Sequence, residues 1–311
     1  MVGPGARTAF LFVAIIALFV VVGAILGEYL FGSFLAGLVV ALVLSLVMNL
    51  VSYFFCDRFV LWSNNARIVT AAEAPRLAKI VDELAPQFGL VAPRLAIIPT
   101  STPNAFATGR DPQHAVVAAT EGILRMLNDR ELRGVLAHEL AHVQDRDILV
   151  MTLAATLAGA ISYLGQMYFF SMIFGGGGGN QRGGVNPIVA LVALVTAPLA
   201  AMLLQLAISR SRESKADLVG AKTIGDPNSL ADALEKLEAG NTSRPMTSGS
   251  PASSSLYIVN PFRGSSFTRI FSTHPATADR VRALRAMARE YAYRPTIRAP
   301  SFAPGVRPSR S

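Results

Sequence analysis

Two long apolar stretches dominate the beginning of the chain. Ala9–Gly27 contains no charged side chain, and in Phe34–Phe55 only Ser, Asn and Tyr interrupt the apolar residues. A helix of about 20 residues crosses the hydrocarbon layer of a bilayer, which is roughly 30 Å thick. The pattern therefore predicts two membrane-spanning helices joined by a tight hairpin at Glu28–Ser33. A cleaved signal peptide is disfavoured, because the first stretch lacks a convincing small-residue cleavage site.

A second apolar region runs from Ile148 to Ile208, where Arg182 is the only charged residue. Arg182 lies in the glycine-rich segment Gly175–Gly184, which predicts a flexible turn between a third and a fourth span. Two buried hairpins in the core of a soluble protein are the alternative. The length of the apolar stretches favours the membrane.

The polar segment 56–147 predicts a mixture of helices and short strands. Apolar side chains at helical spacing follow Pro75 and predict a helix with one buried face. Three runs bounded by turn residues predict a small antiparallel sheet, and they are Leu95–Ile98, Asn104–Thr108 and Ala115–Ala119. A long helix is predicted over Asp129–Asp147, with Asn128 as its N-cap and Glu131 completing a capping box.

Three more helices are predicted after the second apolar region, ending near Ile224, near Ala239 and near Tyr293. The Ser-rich stretch Asn241–Ser255 has no apolar periodicity, so it predicts a mobile loop. The tail 294–311 is expected to be unstructured.

The composition agrees with a membrane protein, since 52% of the 311 residues are hydrophobic and only 15% are charged. The net charge is +8, but Arg and Lys concentrate beside the apolar stretches and no nucleic-acid-binding motif accompanies them. We therefore expect contact with the lipid bilayer and no nucleic-acid partner. The same distribution places both termini and the polar segments in the cytoplasm. Cys56 is the only cysteine, which excludes an intrachain disulfide.

The segment His138-Glu139-Leu140-Ala141-His142 contains the strongest chemical signal. Two histidines four residues apart on a helix project from the same face and can share one metal ion. Glu139 can then take a proton from a water molecule whose pKa the metal lowers. The apolar stripe of the same helix leaves the histidines on another face, where we expect a cleft, and it consists of Leu132, Leu136, Leu140 and Val143. Surface histidines, or a metal that only stabilises the fold, are the alternatives.

A site with two histidines needs a third ligand, and zinc commonly takes a carboxylate from a following helix. Glu213 is the candidate, because it lies just after the second apolar region, whose two spans would return it beside the histidines. Asp217 follows one helical turn later and can accept the remaining imidazole N–H of a ligand. The metal is expected close to the cytoplasmic membrane surface.

Five segments resemble the HtpX-type membrane zinc metalloproteases, a group that also includes the CAAX prenyl proteases. These segments are PNAFATGR from Pro103, TEGIL from Thr120, LAHELAHVQDRDIL from Leu136, SRSRESKAD from Ser209 and STHPATADR from Ser272. The resemblance implies that His138, His142 and Glu213 bind one Zn²⁺ ion. It also implies that Glu139 is the catalytic base and acid and that Asp217 supports His138.

The resemblance further implies residues that act on the substrate. In similar proteases a histidine or arginine of the C-terminal region stabilises the oxyanion, and His274 and Arg280 are the candidates here. Asn104 lies in a run that resembles the edge strand along which such proteases hold an extended substrate. The alternatives are that His274 only caps the last helix and that the strand serves only the sheet.

The patterns and the resemblance predict a mainly α membrane protein, with four transmembrane helices and a small α+β, zincin-like catalytic domain bearing a short sheet. The predicted segments are a hairpin over 1–55, catalytic parts over 56–147 and 209–293, a second hairpin over 148–208 and a tail over 294–311. The predicted function is hydrolysis of unfolded, misfolded or damaged proteins at the cytoplasmic face of the inner cell membrane. A CAAX-type processing protease and a non-catalytic membrane adaptor or holdase with a structural metal are the alternatives.

Overall fold

The computed structural model describes residues 32–156, 210–247, 251–262 and 276–293, together with scattered helical positions between residues 13 and 28. Most of the predicted third and fourth spans, the predicted tail and His274 lie outside the described residues.

Helix α1, Phe34–Ser63, begins after the N-cap Ser33, whose hydroxyl accepts a hydrogen bond from Ala36 N–H. Its 30 residues extend about 45 Å. Within the described residues, α1 is the one helix long and apolar enough to cross a membrane. The prediction of four transmembrane helices is therefore not confirmed, although the described positions of the first predicted span are helical.

Small residues bring the first predicted span against α1. A Cβ atom on Gly27 would lie 2.2 Å from Gly37 Cα, and a Cβ atom on Gly23 would lie 2.0 Å from Ala41 Cβ. Only glycine allows backbones to approach this closely, as in tightly packed membrane helices. The tight hairpin at Glu28–Ser33 stays a prediction, because residues 29–31 lie outside the described residues.

The surroundings of α1 change at Cys56. Large apolar side chains are exposed before this point, including Phe34 and Phe55, whereas Cys56 and Val60 are buried. The buried end of α1 packs against one face of a sheet, and its buried Asp57 pairs with the more exposed Arg94 of the sheet at 3.0 Å. The first part of α1 thus exposes apolar side chains, whereas its last turns contribute to the folded core.

Within the part of the chain that the structure describes, the sheet has four strands, in the order β1, β2, β4, β3. They are β1 (Arg67–Val69), β2 (Arg94–Ile98), β3 (Ala105–Thr108) and β4 (Val116–Thr120). The sheet is mixed, because β2 and β4 are parallel while the other pairs are antiparallel. The prediction of a purely antiparallel sheet was wrong. After β2 the chain crosses to the edge of the sheet, where it forms β3. It then reverses at the 3₁₀ turn Pro112–His114 and forms β4 between β2 and β3. Strand β1 was not predicted, since three residues are too few to show alternation.

Helices cover the other face of the sheet. In chain order the helices after α1 are α2 (Pro75–Leu84), α3 (Glu121–Met126), α4 (Asp129–Gln144), α5 (Asp147–Thr156), α6 (Arg210–Ile224), α7 (Pro227–Ser243) and α8 (Thr277–Tyr293). Helix α5 is the exception, because its Met151 and Ala155 pack with the end of α1 on the first face. Helix α4 is central, because it packs against β3, α2, α6 and α7, while α8 packs on α7 and α6.

Helix α4 begins as predicted and ends differently. The capping box of Asn128 and Glu131 is present. The helix ends at Gln144, three residues before the predicted end, because Arg146 adopts a left-handed conformation with φ 58°. The predicted apolar stripe is fully buried, but so are both histidines and Glu139. The helix is therefore surrounded by protein around these residues, rather than facing an open cleft.

The predicted mobile loop Asn241–Ser255 is wrong for the residues that the structure describes. Helix α7 continues to Ser243, and Pro251–Ser255 forms a 3₁₀ helix with buried serines. The apolar residues Leu256–Val259, called the wall segment below, are also buried and carry the preceding serines into the core. Ser253 Oγ then donates to Asn64 Oδ1 at 2.9 Å, which satisfies a polar group that burial would leave unpaired.

We predict that Gly134→Ala destabilises the protein. A Cβ atom at this position of α4 would lie 2.6 Å from the backbone nitrogen of Leu230 on α7, so the helices must separate. Such overpacking costs about 1–3 kcal/mol of unfolding free energy, although Gly→Ala in a helix ordinarily stabilises by up to about 1 kcal/mol. Denaturant titration of the detergent-purified protein measures the difference. The exposed α6 substitution Ser214→Ala is the control, and equal stability of the two variants would contradict the packing argument.

Candidate metal centre

The two histidines of α4 converge on one point. His138 and His142 lie one helical turn apart, and their Nε2 atoms are separated by 3.2 Å. Their rings meet edge to face, with centroids 4.7 Å apart. Two ring nitrogens at this distance either share a proton or direct both lone pairs at one cation.

Glu213 completes a cluster with the histidines. It lies in the first turn of α6, and its Oε1 is 3.4 Å from His142 Nε2 while its Oε2 is 3.6 Å from His138 Nε2. One ligand atom from each of the three residues falls within 4.8 Å of the others. The structure thus brings the distant carboxylate to the histidine pair.

A glycine permits this approach of α6 to α4. A Cβ atom on Gly220 would lie 3.0 Å from both Ala137 C and His138 N. A side chain at this position would hold α6 away from the histidines. Because Glu213 and Gly220 lie on the same helix, the close contact of Gly220 with α4 helps to hold Glu213 beside the histidines.

Glu139, which directly follows His138 on α4, is also buried. Its Oε2 accepts a hydrogen bond of 2.8 Å from the backbone N–H of Ala107 on β3. Burial raises the pKa of Glu139 to about 8, against the lowering effects of the positive charge on His142 and of the Ala107 hydrogen bond. A nearby metal cation would favour the ionised form again.

Asp217 lies behind His138, at the position predicted from the sequence. Its Oδ1 is 2.8 Å from His138 Nδ1, although the ring N–H is not well aligned for a hydrogen bond. Arg280 donates to both oxygens of Asp217, with Nε at 2.9 Å and Nη2 at 2.7 Å. Burial opposes ionisation, but the guanidinium holds the pKa of Asp217 well below its usual range.

The predicted substrate residues Arg280 and Asn104 have internal contacts. Besides Asp217, Arg280 donates from Nη1 to the carbonyl of Ile258 at 2.8 Å. Asn104 is fully buried, and its Nδ2 donates to the carbonyl of Val259. Both side chains therefore fix the wall segment beside β3. Direct contact of either residue with a substrate stays a prediction, and His274 lies outside the described residues.

Sequence reasoning missed two charged residues near the site, Asp147 and Arg212. They are buried, with Asp147 Oδ2 at 3.9 Å from His142 Nδ1 and Arg212 Nη1 at 3.6 Å from Asp147 Oδ1. In the sequence, Asp147 is an acidic residue five positions after His142, and Arg212 is a basic residue directly before Glu213. Neither spacing corresponds to one helix face, so the pattern alone did not select them.

Charge balance supports a divalent cation at this centre. Six buried charged side chains, each at most 7% exposed, surround the histidines, and they are Glu139, Asp147, Glu213, Asp217, Arg212 and Arg280. When all six are ionised, the carboxylates exceed the guanidiniums by two negative charges. Uncompensated buried charge is costly, and a divalent ion bound to neutral histidines would balance the site. The donor set of two imidazoles and one carboxylate also fits zinc.

Comparisons with known proteins agree with this geometry. The sequence profile of peptidase family M48 matches residues 71–288. A protease HtpX homologue of Pyrococcus furiosus is 48% identical over 289 residues, which are 93% of this chain and 98% of the relative. A homologue of the same name from Thermococcus kodakarensis is 52% identical over 240 residues, covering 77% of this chain and 83% of the relative.

A third protease HtpX homologue, from Burkholderia mallei, is 48% identical over 285 residues and covers 91% of this chain and 96% of the relative. Among solved structures, the crystal structure of S. mikatae Ste24p matches with a TM-score of 0.47 and 20% identity, covering 87% of this chain and 61% of that protein. The family match and the close relatives confirm the resemblance seen in the sequence: the chain belongs to peptidase family M48, as a protease of the HtpX type.

Proposed function

We propose that the protein is a zinc-dependent endopeptidase in which His138, His142 and Glu213 hold one Zn²⁺ ion. The observation that carries this proposal is the convergence of the three buried side chains from two helices. When bound, zinc polarises the scissile carbonyl and lowers the pKa of a water molecule. The remaining steps belong to side chains of the chain itself.

Glu139 is the proposed general base and acid. The Ala107 N–H fixes its Oε2, which leaves Oε1 to take a proton from the attacking water and to deliver it to the leaving amine. Burial raises the pKa of Glu139 whereas a bound cation would lower it, so the two effects together allow the group to take up and release this proton. The short link from Glu139 to β3 also sets the distance between the base and any substrate that lies along that strand.

The outer edge of β3 is the proposed place for an extended substrate. Ala107 N–H points outward to Glu139, and Ala105 C=O points outward and accepts from Ile258 N–H at 3.2 Å. By the alternation of an antiparallel ladder, the Ala107 carbonyl lies on this same edge. We assign it as the acceptor for a substrate N–H group. Asn104 and Arg280 would then act by holding the wall segment next to the bound peptide, in addition to any direct contact.

The proposed location is the inner cell membrane, with α1 as one span of a multi-pass protein and the catalytic part in the cytoplasm. Support comes from the apolar surface that α1 exposes between Phe34 and Phe55. Main-chain recognition along β3 selects little between sequences, which suits unfolded, misfolded or damaged protein substrates. A CAAX-type processing protease remains the enzymatic alternative, and a membrane adaptor or holdase with a structural metal remains the non-catalytic one.

We predict that Glu139→Gln abolishes proteolysis while zinc is retained. The amide cannot accept a proton, and loss of a general base lowers rates by about 100- to 10,000-fold. A casein digestion assay and elemental analysis of the same detergent-purified sample provide the two measurements. Glu121→Gln, which changes an exposed carboxylate on α3, serves as the matched control. Unchanged proteolysis in the Glu139 variant would show that Glu139 is not the base, and a zinc-loaded wild type without proteolysis would favour the adaptor.

We also predict that Glu213→Gln releases the metal. An amide is a much poorer zinc ligand than a carboxylate, and removal of a direct ligand should exceed the about 10- to 100-fold loss of affinity that follows from removing an outer partner. Dialysis against a graded series of chelator concentrations, followed by elemental analysis, measures retention. Zinc held as tightly as in the wild type would show that Glu213 is not a ligand.

A further inference from the structure

His142 has a buried ring nitrogen whose partner is not evident from the metal-binding motif. Its Nδ1 atom is buried and makes no hydrogen bond within the part of the chain that the structure describes. A metal ligand of this type ordinarily donates its second ring N–H to a carboxylate, a backbone carbonyl or water. Asp147 Oδ2 lies 3.9 Å away, so about 1 Å of side-chain movement would bring it to hydrogen-bond distance.

A break in the helix is what places Asp147 there. In one continuous α-helix, a residue five positions after His142 would be rotated by about 140° from the histidine face. Instead α4 ends at Gln144, Arg146 takes a left-handed conformation with φ 58°, and α5 begins at Asp147. The change of direction at this turn brings the buried carboxylate of Asp147 to the ring of His142.

The pair of Asp147 and Arg212 near His142 resembles a second carboxylate–arginine pair near His138. On that side, Asp217 stands behind His138 and is held by the buried Arg280. On this side, Asp147 stands behind His142, and the buried Arg212 lies 3.6 Å from its Oδ1. Helix α6 contributes to both, because it carries Asp217 and Arg212 as well as Glu213.

We infer that Asp147 is a positioning residue for His142, held in place by Arg212. It would fix the tautomer with the proton on Nδ1, leaving the Nε2 lone pair for the metal, and would raise the basicity of the ring. This inference rests on the proposed metal-binding function. A merely structural role is the rival explanation, since Asp147 is the first residue of α5 and an acidic residue there stabilises a helix N-terminus.

The test uses the full chain in detergent and measures Zn²⁺ affinity by competition with a chromophoric chelator. Asp147→Ser keeps a small polar residue in the first turn of α5 but is too short to reach His142, so affinity should fall by about 10- to 100-fold. Asp147→Asn keeps the shape and one oxygen acceptor but removes the charge, and an affinity between those of the wild type and the serine variant is expected. Asp145→Ser is the matched control, because Asp145 pairs with the exposed Lys215 at 2.7 Å, and its affinity should stay within about threefold of the wild type.

The metal-free forms are compared by denaturant titration, so that a loss of stability is separated from a loss of affinity. Weaker zinc binding by Asp147→Ser, with partial recovery in Asp147→Asn, would establish the positioning role. Unchanged affinity in a folded Asp147→Ser protein, or an equal loss in the Asp145→Ser control, would overturn the inference alone. Wild-type protein that takes up no zinc would overturn the proposed metal site and this inference together. If the serine variant does not fold, the asparagine variant decides between the same outcomes.

Discussion

Buried charge is the constraint on which the rest of this structure depends. Glu139, Glu213 and Asp217 are buried within a few ångströms of two buried imidazoles, in a protein interior where unpaired charge costs several kcal/mol. Hydrogen bonds from Arg280 and from a strand N–H satisfy part of this charge. The donor set and the remaining negative charge fit one divalent cation, and electrostatic interactions in such a low-dielectric environment are stronger than in water.

Rigid elements hold each of these groups. His138, Glu139 and His142 share α4, while Glu213 and Asp217 share α6, and Gly220 lets the two helices touch. Sites built on helices that pack at glycine contacts keep their geometry to within a fraction of an ångström. A small change in helix packing would therefore affect the proposed metal ligands before it affected the fold as a whole.

The wall segment connects the site to the apolar helix α1. Tyr257 donates its hydroxyl to Asn64 Oδ1 at 3.1 Å, and Asn64 is the C-cap of α1. The next residue, Ile258, contacts Arg280 and the edge of β3. The end of α1, the β3 edge and the partner of Asp217 are thus joined by a few consecutive residues. This connection explains why a Ser-rich stretch with no apolar periodicity is nevertheless folded, since the apolar residues after it anchor it.

The sequence by itself determined the local features. The spacing of His138 and His142 places them on one helical face, the Asn128 capping box starts that helix, and an uninterrupted apolar stretch gives α1. These features follow from interactions between residues that are close in the chain.

The tertiary structure decided the parallel pairing of β2 with β4, the burial of the loop after α7, and the contacts of Arg280 and Asn104. It also decided the position of Asp147, because one left-handed residue, Arg146, redirects the chain in a way that helical periodicity does not encode. Such outcomes depend on which distant groups compete for burial and for hydrogen bonds, and only the packed chain specifies them.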